Sequence, residues 1–297
     1  TGGEFGAATA FMVEHADAKR RGFFASWQMS TQGLATVLAA GVSALLSMLL
    51  TADQLSAWGW RIAFAVGLLI GPVGLYIRRN IDETADFKKL GEKQREKSPL
   101  REVFGRDRAN MLLGAGVVAA ATAFNYVHKL YMPTYATKQL GLPPSQGFIA
   151  TLVTGFVIMT LTPFVGHWSD KIGRIRIMLV AGVLFLCTVY PAFAFMNAHA
   201  SLATMMVVML WVGMLKAVYF APIPALMSSL FPTRTRATGM AVGYNLGTTI
   251  FGGFTPLAVA WLIAASGNKL APGLYLMVGA VISLTTLLIA RARMGAR

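Results

Sequence analysis

The chain has 297 residues, of which 56% are apolar and 13% are charged, about half of the ~25% charged residues of a soluble globular protein. This composition, with its single cysteine, excludes a disordered protein, a disulfide-stapled secreted domain and an ordinary soluble enzyme. The four histidines stand singly in the sequence, so no metal site is predicted. The sequence contains no phosphate-binding Gly-Lys-Ser/Thr loop, and no cofactor is expected.

Apolar stretches long enough to cross a bilayer, which takes ~20 residues, recur along the chain. We predict eight complete spans, at 23–50, 60–79, 109–137, 145–168, 175–195, 202–230, 238–265 and 273–292. Residues 1–15 resemble the second half of one more span. The chain opens inside this apolar stretch without a starting Met, so we expect it to be a fragment whose first helices are absent.

The basic residues are distributed unevenly between the connecting segments. Of the 26 Lys and Arg, 21 fall in one alternating set of segments and three in the opposite set. This asymmetry is the positive-inside pattern, which places the first set in the cytoplasm and predicts a multi-pass protein of a bacterial inner membrane. The net charge of +14 therefore reports membrane topology, and no nucleic-acid partner is predicted.

Residues 80–108 form one long charged stretch in an apolar chain, which we interpret as a cytoplasmic linker between two helical bundles. The predicted domains are therefore 1–79, the remainder of an N-terminal bundle, and 109–297, a six-helix C-terminal bundle. A weak internal repeat at an offset of 217 residues pairs Ser26-Trp27-Gln28 with Gly243-Tyr244-Asn245. This repeat favours two matched halves.

The segment between the fourth and fifth predicted spans reads Gly166-His167-Trp168-Ser169-Asp170-Lys171-Ile172-Gly173-Arg174. A carboxylate such as Asp170 can lie at the N-terminus of a neighbouring helix, where the helix dipole favours an anion. Gly173 permits a tight reversal, and Lys171 and Arg174 can pair with acids or lipid headgroups. These four residues are candidate gating residues, because such contacts would break as two bundles move. The alternative is a basic anchor loop without a gating role.

This loop resembles the Gly-x-x-x-Asp-Arg/Lys-x-Gly-Arg hallmark of the major facilitator superfamily, and the chain is most similar to its metabolite:proton symporter branch. Other motifs that carry the resemblance are Glu14-His15-Ala16, Lys19-Arg20-Arg21-Gly22-Phe23, Trp58-Gly59-Trp60-Arg61-Ile62, Tyr131-Met132-Pro133-Thr134-Tyr135 and Pro224-Ala225-Leu226-Met227. The resemblance implies an all-α membrane protein with a twelve-helix, two-bundle fold, of which this chain carries helices four (in part) to twelve. It also implies alternating access and proton-coupled uptake of small organic solutes.

The chain departs from the family pattern at two positions. Ser229 stands where the family often has Glu before Leu-Phe-Pro, and Ile175 separates Arg174 from Arg176 where the family usually has two adjacent bases. The cytoplasmic charge relay that the resemblance implies is therefore altered in this half.

Two lysines inside predicted spans are the sharpest functional signal. Lys216 lies ~22 Å from each end of its span, too far for its side chain to reach an interface, and an intramembrane cation normally faces a cavity or a partner. We predict that Lys216 binds a substrate carboxylate and that Tyr219 lines the same cavity; the alternative is a structural pair with a buried acid. Lys129 and Asn125 share one helix face and are predicted substrate-binding residues, although Lys129 could instead reach the periplasmic surface.

Acidic residues near the start of the chain are candidates for proton coupling and gating. Glu4 lies ~15 Å above the cytoplasmic end of its helix, where ionisable groups mark ion pathways, so we predict that it couples proton movement. The alternative is a salt bridge to a basic residue in the absent helices. Glu14, at the cytoplasmic mouth, is by resemblance a gating residue that partners a loop in the absent part.

Polar amides on opposite helices complete the predicted site. Gln28 and Gln32 share one face at i, i+4, and Asn245, Thr248 and Thr249 occupy the corresponding region of the second half. We predict that they bind substrate by hydrogen bonds from opposite walls, with interhelical hydrogen bonds as the alternative.

We therefore expect a proton symporter for a citrate-like or dicarboxylic anion, because two cations face the predicted path. The expected partners are the organic acid, the proton and the lipid bilayer, and the protein is expected to be a monomer. The alternatives are a betaine- or proline-type osmolyte:proton symporter and a non-transporting membrane sensor or scaffold. An enzyme is not expected, because no acid/base or metal set is clustered.

Overall fold

The computed structural model describes residues 4–68, 70–80 and 99–294, which form helices and short connections only. This part of the chain contains one short apolar helix and eight helices long enough to span a membrane. They are α1 (Glu4–Glu14), α2 (Ala18–Leu49), α3 (Ala52–Tyr76), α4 (Arg108–Leu140), α5 (Pro144–Ile172), α6 (Arg174–Ala198), α7 (Leu202–Leu230), α8 (Arg236–Ser266) and α9 (Ala271–Met294). Each predicted span coincides with one of α2 to α9, which confirms the all-α membrane fold class.

α4 is interrupted near its middle by a π-helical turn. It is α-helical over Arg108–Tyr126 and Met132–Leu140, and the π turn Val127–Tyr131 lies between them. Pro133 follows directly. A proline ring clashes with the carbonyl four residues earlier, here that of Lys129, and the wider turn makes room for it.

A π turn before a proline also occurs in α8, and the α-helix of α7 is interrupted once. In α8 the π turn Thr249–Gly253 precedes Pro256, whose ring would meet the carbonyl of Gly252. α7 consists of the helices Leu202–Phe220 and Ile223–Leu230. Irregular backbone at membrane depth is tolerated where it is buried in protein or lines a cavity.

α4 lies at the centre of the packed helices and is buried along most of its length, against α8 and α9. α5 packs on α2 and α7, α6 packs on α7 and α9, and α1 packs on α8. α2, α3 and α8 expose much of their apolar surface. Exposed apolar surface of this extent is typical of contact with a membrane.

Small residues allow α2 and α5 to approach closely. A Cβ atom on Gly33 would lie 2.8 Å from Met159 Cα and 2.9 Å from the Gly155 carbonyl oxygen. Ser30 Oγ donates a hydrogen bond to the Met159 carbonyl at 2.6 Å. Close backbone contact of this kind, with a polar cross-link, is how helices associate in lipid.

The predicted linker lies largely outside the described residues, which omit 81–98. At its described end a short helix, Pro99–Gly105, carries Glu102, which forms an ion pair with Arg234. Thr235 Oγ1 donates a hydrogen bond to Asp107 Oδ2 at 2.9 Å. This end is therefore tied to the segment that enters α8, and the division into two bundles stays a prediction.

Candidate functional site

A cavity of about 310 Å³ lies between α2, α4 and α8, near the middle of each helix. Its volume falls at the lower end of the range for small-ligand sites, ~300–1,000 Å³. The residues that line it are Gln32, Thr122, Asn125, Tyr126, Lys129, Leu130, Tyr244 and Thr248. Seven of these eight residues carry a polar group, and the lining contains a cation but no Asp or Glu.

Lys129 is the cation of this lining, and it projects from the π turn of α4. Among the described residues, no ion pair includes Lys129. The neighbouring His128 is buried instead, stacked on Phe124 with ring centroids 3.6 Å apart. The turn thus directs one residue into the core and the next into the cavity.

Lys216 lies behind the cavity rather than in its lining. Its buried Nζ donates a hydrogen bond to Asn125 Oδ1. It also lies 5.0 Å from the ring centroid of Phe124 and 4.8 Å from that of Phe220, within range of cation–π attraction. No ion pair of the described residues includes Lys216, so the structure shows no pairing with a buried acid there.

Tyr219 shares a second, much smaller cavity of about 20 Å³ with Lys216. Its hydroxyl donates to the Val117 carbonyl at 2.8 Å. Tyr219 thus lies beside Lys216 as expected, but its hydroxyl binds backbone and it is not in the lining of the large cavity.

The two predicted glutamines are in different surroundings. Gln32 lines the cavity. Gln28 joins α1 to α2, because its Oε1 accepts a hydrogen bond from Thr9 and its Nε2 donates to the Phe5 carbonyl at 3.2 Å. Gln28 therefore forms interhelical hydrogen bonds, which was the alternative to substrate binding.

On α8 the cavity wall includes Thr248, one of the predicted residues, and Tyr244, but not Asn245. Asn245 Nδ2 donates to the Ala241 carbonyl at 2.6 Å, whereas Tyr244 and Thr248 line the cavity. The Tyr244 ring also stacks on Phe5 of α1 at 3.7 Å. Sequence reasoning missed Tyr244 as a lining residue, because the exact rotation of α8 is set by packing.

α4 contributes three lining residues that sequence reasoning did not select. Thr122, Tyr126 and Leu130 join Asn125 and Lys129 in the lining. The spacing of three or four residues between these positions places them on one helix face. This shared face could have been recognised in the sequence.

Asp170 lies at the start of the α-helical part of α2, Arg21–Leu49. This position agrees with the prediction from the helix dipole. Asp170 Oδ1 accepts a hydrogen bond from Gly22 N at 2.8 Å, and its Oδ2 accepts one from Phe23 N at 3.1 Å. Arg174 lies 3.2 Å from the same carboxylate. The carboxylate thus satisfies backbone donors that a helix start leaves without partners.

The remaining loop residues shape this contact. Gly173 has φ +103°, a left-handed value that favours glycine, and it reverses the chain between α5 and α6. Lys171 is exposed. Arg174 also donates to the Ala225 carbonyl at 3.4 Å, and it lines a cytoplasmic-side cavity of about 480 Å³ together with Ser229.

Glu14 forms an ion pair with Arg236, the first residue of α8, at 3.0 Å. The Arg236 guanidinium also donates to the Ser228 carbonyl at 3.2 Å. We expected Glu14 to partner a loop outside this chain, and the contact to α8 was not foreseen. The side chain of Glu4 lies outside the described part, so its predicted role stays a prediction.

The sequence profile of the Major Facilitator Superfamily matches residues 1–242 and 117–295. The chain belongs to this family. Its all-α membrane fold is similar to that of the solved MFS proton:xylose symporter XylE, which superimposes with a TM-score of 0.70 at 18% identity. That match covers 95% of this chain and 66% of XylE, and it shows the fold alone.

Curated relatives include transporters of two substrate classes. The chain is 33% identical to a citrate-proton symporter of Klebsiella pneumoniae, over 95% of this chain and 64% of the relative. It is 31% identical to the ectoine/proline transporter ProP of Corynebacterium glutamicum, over 97% of this chain and 60% of the relative. The chain therefore spans less than two thirds of the length of these relatives. The eight long apolar helices found in the described residues, together with the bacterial relatives, identify it as a multi-pass inner-membrane protein.

Proposed function

We propose that the protein is a secondary active transporter that takes up a small organic anion, citrate-like or dicarboxylic, together with protons by alternating access. The observation that carries this proposal is Lys129 in a polar cavity of about 310 Å³ whose lining contains no carboxylate. A partly buried cation attracts an anion far more strongly than one in water. Intramembrane ionisable residues commonly mark substrate pathways.

The hydrogen-bonding groups of the lining suit the same ligand. Gln32, Asn125, Tyr126, Tyr244 and Thr248 surround the cavity with amide and hydroxyl groups, each of which can donate to a carboxylate. The relatives named as citrate-proton symporters, of Klebsiella pneumoniae and Salmonella typhi, support this substrate class.

The cytoplasmic contacts suit the gate of such a cycle. Asp170 ties α5 to the start of α2, and Glu14 ties α1 to the start of α8. Their separation would open the cytoplasmic side as rigid bundles rock about a central site. We keep Glu4 as the proposed proton-coupling residue, because it is the one carboxylate of the sequence well inside a predicted span.

The second candidate is a betaine- or proline-type osmolyte symporter. The observation that favours it is the presence of Tyr126 and Tyr244 in the lining, because tyrosine faces attract quaternary ammonium groups. A zwitterion would then place its carboxylate at Lys129. The relatives named as an ectoine/proline transporter, at 31% identity, and as a proline/betaine transporter, at 29% identity, support this class.

Calorimetric titration of the protein that carries this chain, with citrate, 2-oxoglutarate and glycine betaine, tests the proposal. We expect Lys129→Gln to weaken citrate binding about tenfold or more, because a hydrogen bond to a charged group contributes ~1.5–3 kcal/mol. The matched control is Lys138→Gln, an exposed lysine of the same helix. Betaine binding without citrate binding would select the second candidate, and citrate affinity equal in both variants would reject the site.

A further inference from the structure

Lys216 and the large cavity are connected through one side chain. Asn125 lines the cavity of about 310 Å³ and at the same time accepts the hydrogen bond of Lys216 Nζ through its Oδ1. Lys216 itself is absent from that lining and lines an adjoining space of about 20 Å³. That space holds about one water molecule, so an organic acid cannot enter it to reach the ammonium group.

The surroundings of Lys216 hold its ammonium group in place. The rings of Phe124 and Phe220 lie 5.0 Å and 4.8 Å from Nζ, where cation–π attraction offsets part of the cost of burial. An ammonium group has donors only, so the group it binds must be an oxygen of the Asn125 carboxamide. The carboxamide then has its nitrogen, with two donors, on the opposite side.

We propose that Lys216 is a positioning residue that holds the Asn125 oxygen, so that Asn125 Nδ2 faces the cavity and donates to a substrate carboxylate. This inference rests on the proposed function and deepens it, because it makes Asn125 an anion-selective group. Without Lys216 the carboxamide is free to turn its oxygen toward the cavity, where the oxygen would repel a carboxylate. Lys129 remains the residue that contacts the anion by charge.

Two substitutions of Lys216 separate positioning from direct charge contact. Lys216→Gln and Lys216→Met both remove the charge and have similar length, but only Gln retains a donor for the Asn125 oxygen. We expect Lys216→Met to weaken citrate binding about tenfold and Lys216→Gln by less than threefold, since a typical net hydrogen bond contributes ~0.5–1.5 kcal/mol. Equal losses in the two variants, or no loss in either, would overturn the positioning role.

A double-mutant cycle gives a second measure. Asn125→Leu removes the group through which Lys216 acts, so we expect Lys216→Met to weaken citrate binding no further in that background. Additive losses would mean that Lys216 acts on the substrate independently of Asn125. Thermal unfolding in detergent identifies any variant that does not fold. If Lys216→Met does not fold, Lys216→Leu, which also lacks a donor, replaces it in the comparison with Lys216→Gln.

The Lys129→Gln variant separates this inference from the proposed function. If Lys129→Gln binds citrate like the unsubstituted protein, the proposed anion site fails as a whole. If Lys129→Gln loses affinity while the two Lys216 variants lose it equally, the anion site stands and only the positioning role fails.

Discussion

The cytoplasmic end and the central cavity use their charged residues in opposite ways. At the cytoplasmic end Asp170 binds two backbone N–H groups of α2 and Arg174, and Glu14 binds Arg236. In the cavity Lys129 has no ion-pair partner among the described residues. The first arrangement joins helices to each other. The second leaves a positive charge that a ligand in the cavity could pair with.

We interpret this difference as a division between residues proposed to set the conformation and residues proposed to bind the ligand. A charge removed from water costs free energy unless it is paired. At the cytoplasmic end the pairing comes from neighbouring helices, so the contacts favour the closed state. In the cavity an incoming anion would supply the missing pairing, which is why we place the substrate there.

The substitution expected to increase the separation of helices at the cytoplasmic end most is Asp170→Ala. It removes the acceptors of Gly22 N and Phe23 N together with the ion pair to Arg174, and a lost helix cap alone costs ~0.5–2 kcal/mol. Asp170→Asn keeps one acceptor and should have a smaller effect. We expect α2 and α5 to separate about tenfold more often in the Ala variant, by the free-energy conversion of ~1.4 kcal/mol per tenfold.

A cysteine at Ser26 measures this separation. Ser26 is fully buried at the contact of α2 with Gly166 of α5, so Ser26→Cys should react with a maleimide only when the helices part. The exposed Cys187 is replaced by Ser in this background. If Asp170→Ala labels no faster than the parent, the Asp170 contact does not hold the cytoplasmic end closed.

A smaller effect is expected from the pair Glu14 and Arg236. Each of Glu14→Gln and Arg236→Gln should raise the labelling rate a few-fold, because the ion pair is partly exposed on its Arg236 side and such a pair contributes ~0.2–1 kcal/mol. The exchanged pair, Glu14→Arg with Arg236→Glu, should recover part of the loss. If the effect of the exchanged pair on the labelling rate equals the sum of the free-energy effects of its two single substitutions, Glu14 and Arg236 do not interact.

The smallest effect is expected from Ser229→Glu. Arg174 Nε has no hydrogen-bond partner in the described part of the chain, and Ser229 borders the same cavity of about 480 Å³. A carboxylate there should slow labelling up to about threefold, since a partly exposed ion pair contributes ~0.2–1 kcal/mol. Ser229→Gln is the uncharged control, and faster labelling with Glu would contradict a closed-state contact.

The spans could be predicted from composition because every backbone group in lipid must be satisfied within its own helix. Asp170 could be placed at a helix start because a short loop between two spans leaves its carboxylate few alternatives. Lys129, Asn125 and Gln32 were selected as intramembrane polar groups, and the structure places all three in one cavity lining.

Hydropathy and charge along the chain were enough to predict the spans, their orientation and the costly polar groups inside them. The partners of these groups become visible in the folded structure alone: Lys216 with Asn125, Gln28 with Thr9, and Glu14 with Arg236. These pairs are 91, 19 and 222 positions apart. Such contacts depend on the rotation and crossing of packed helices, and that geometry comes from the packing of every side chain at the interface rather than from any local pattern.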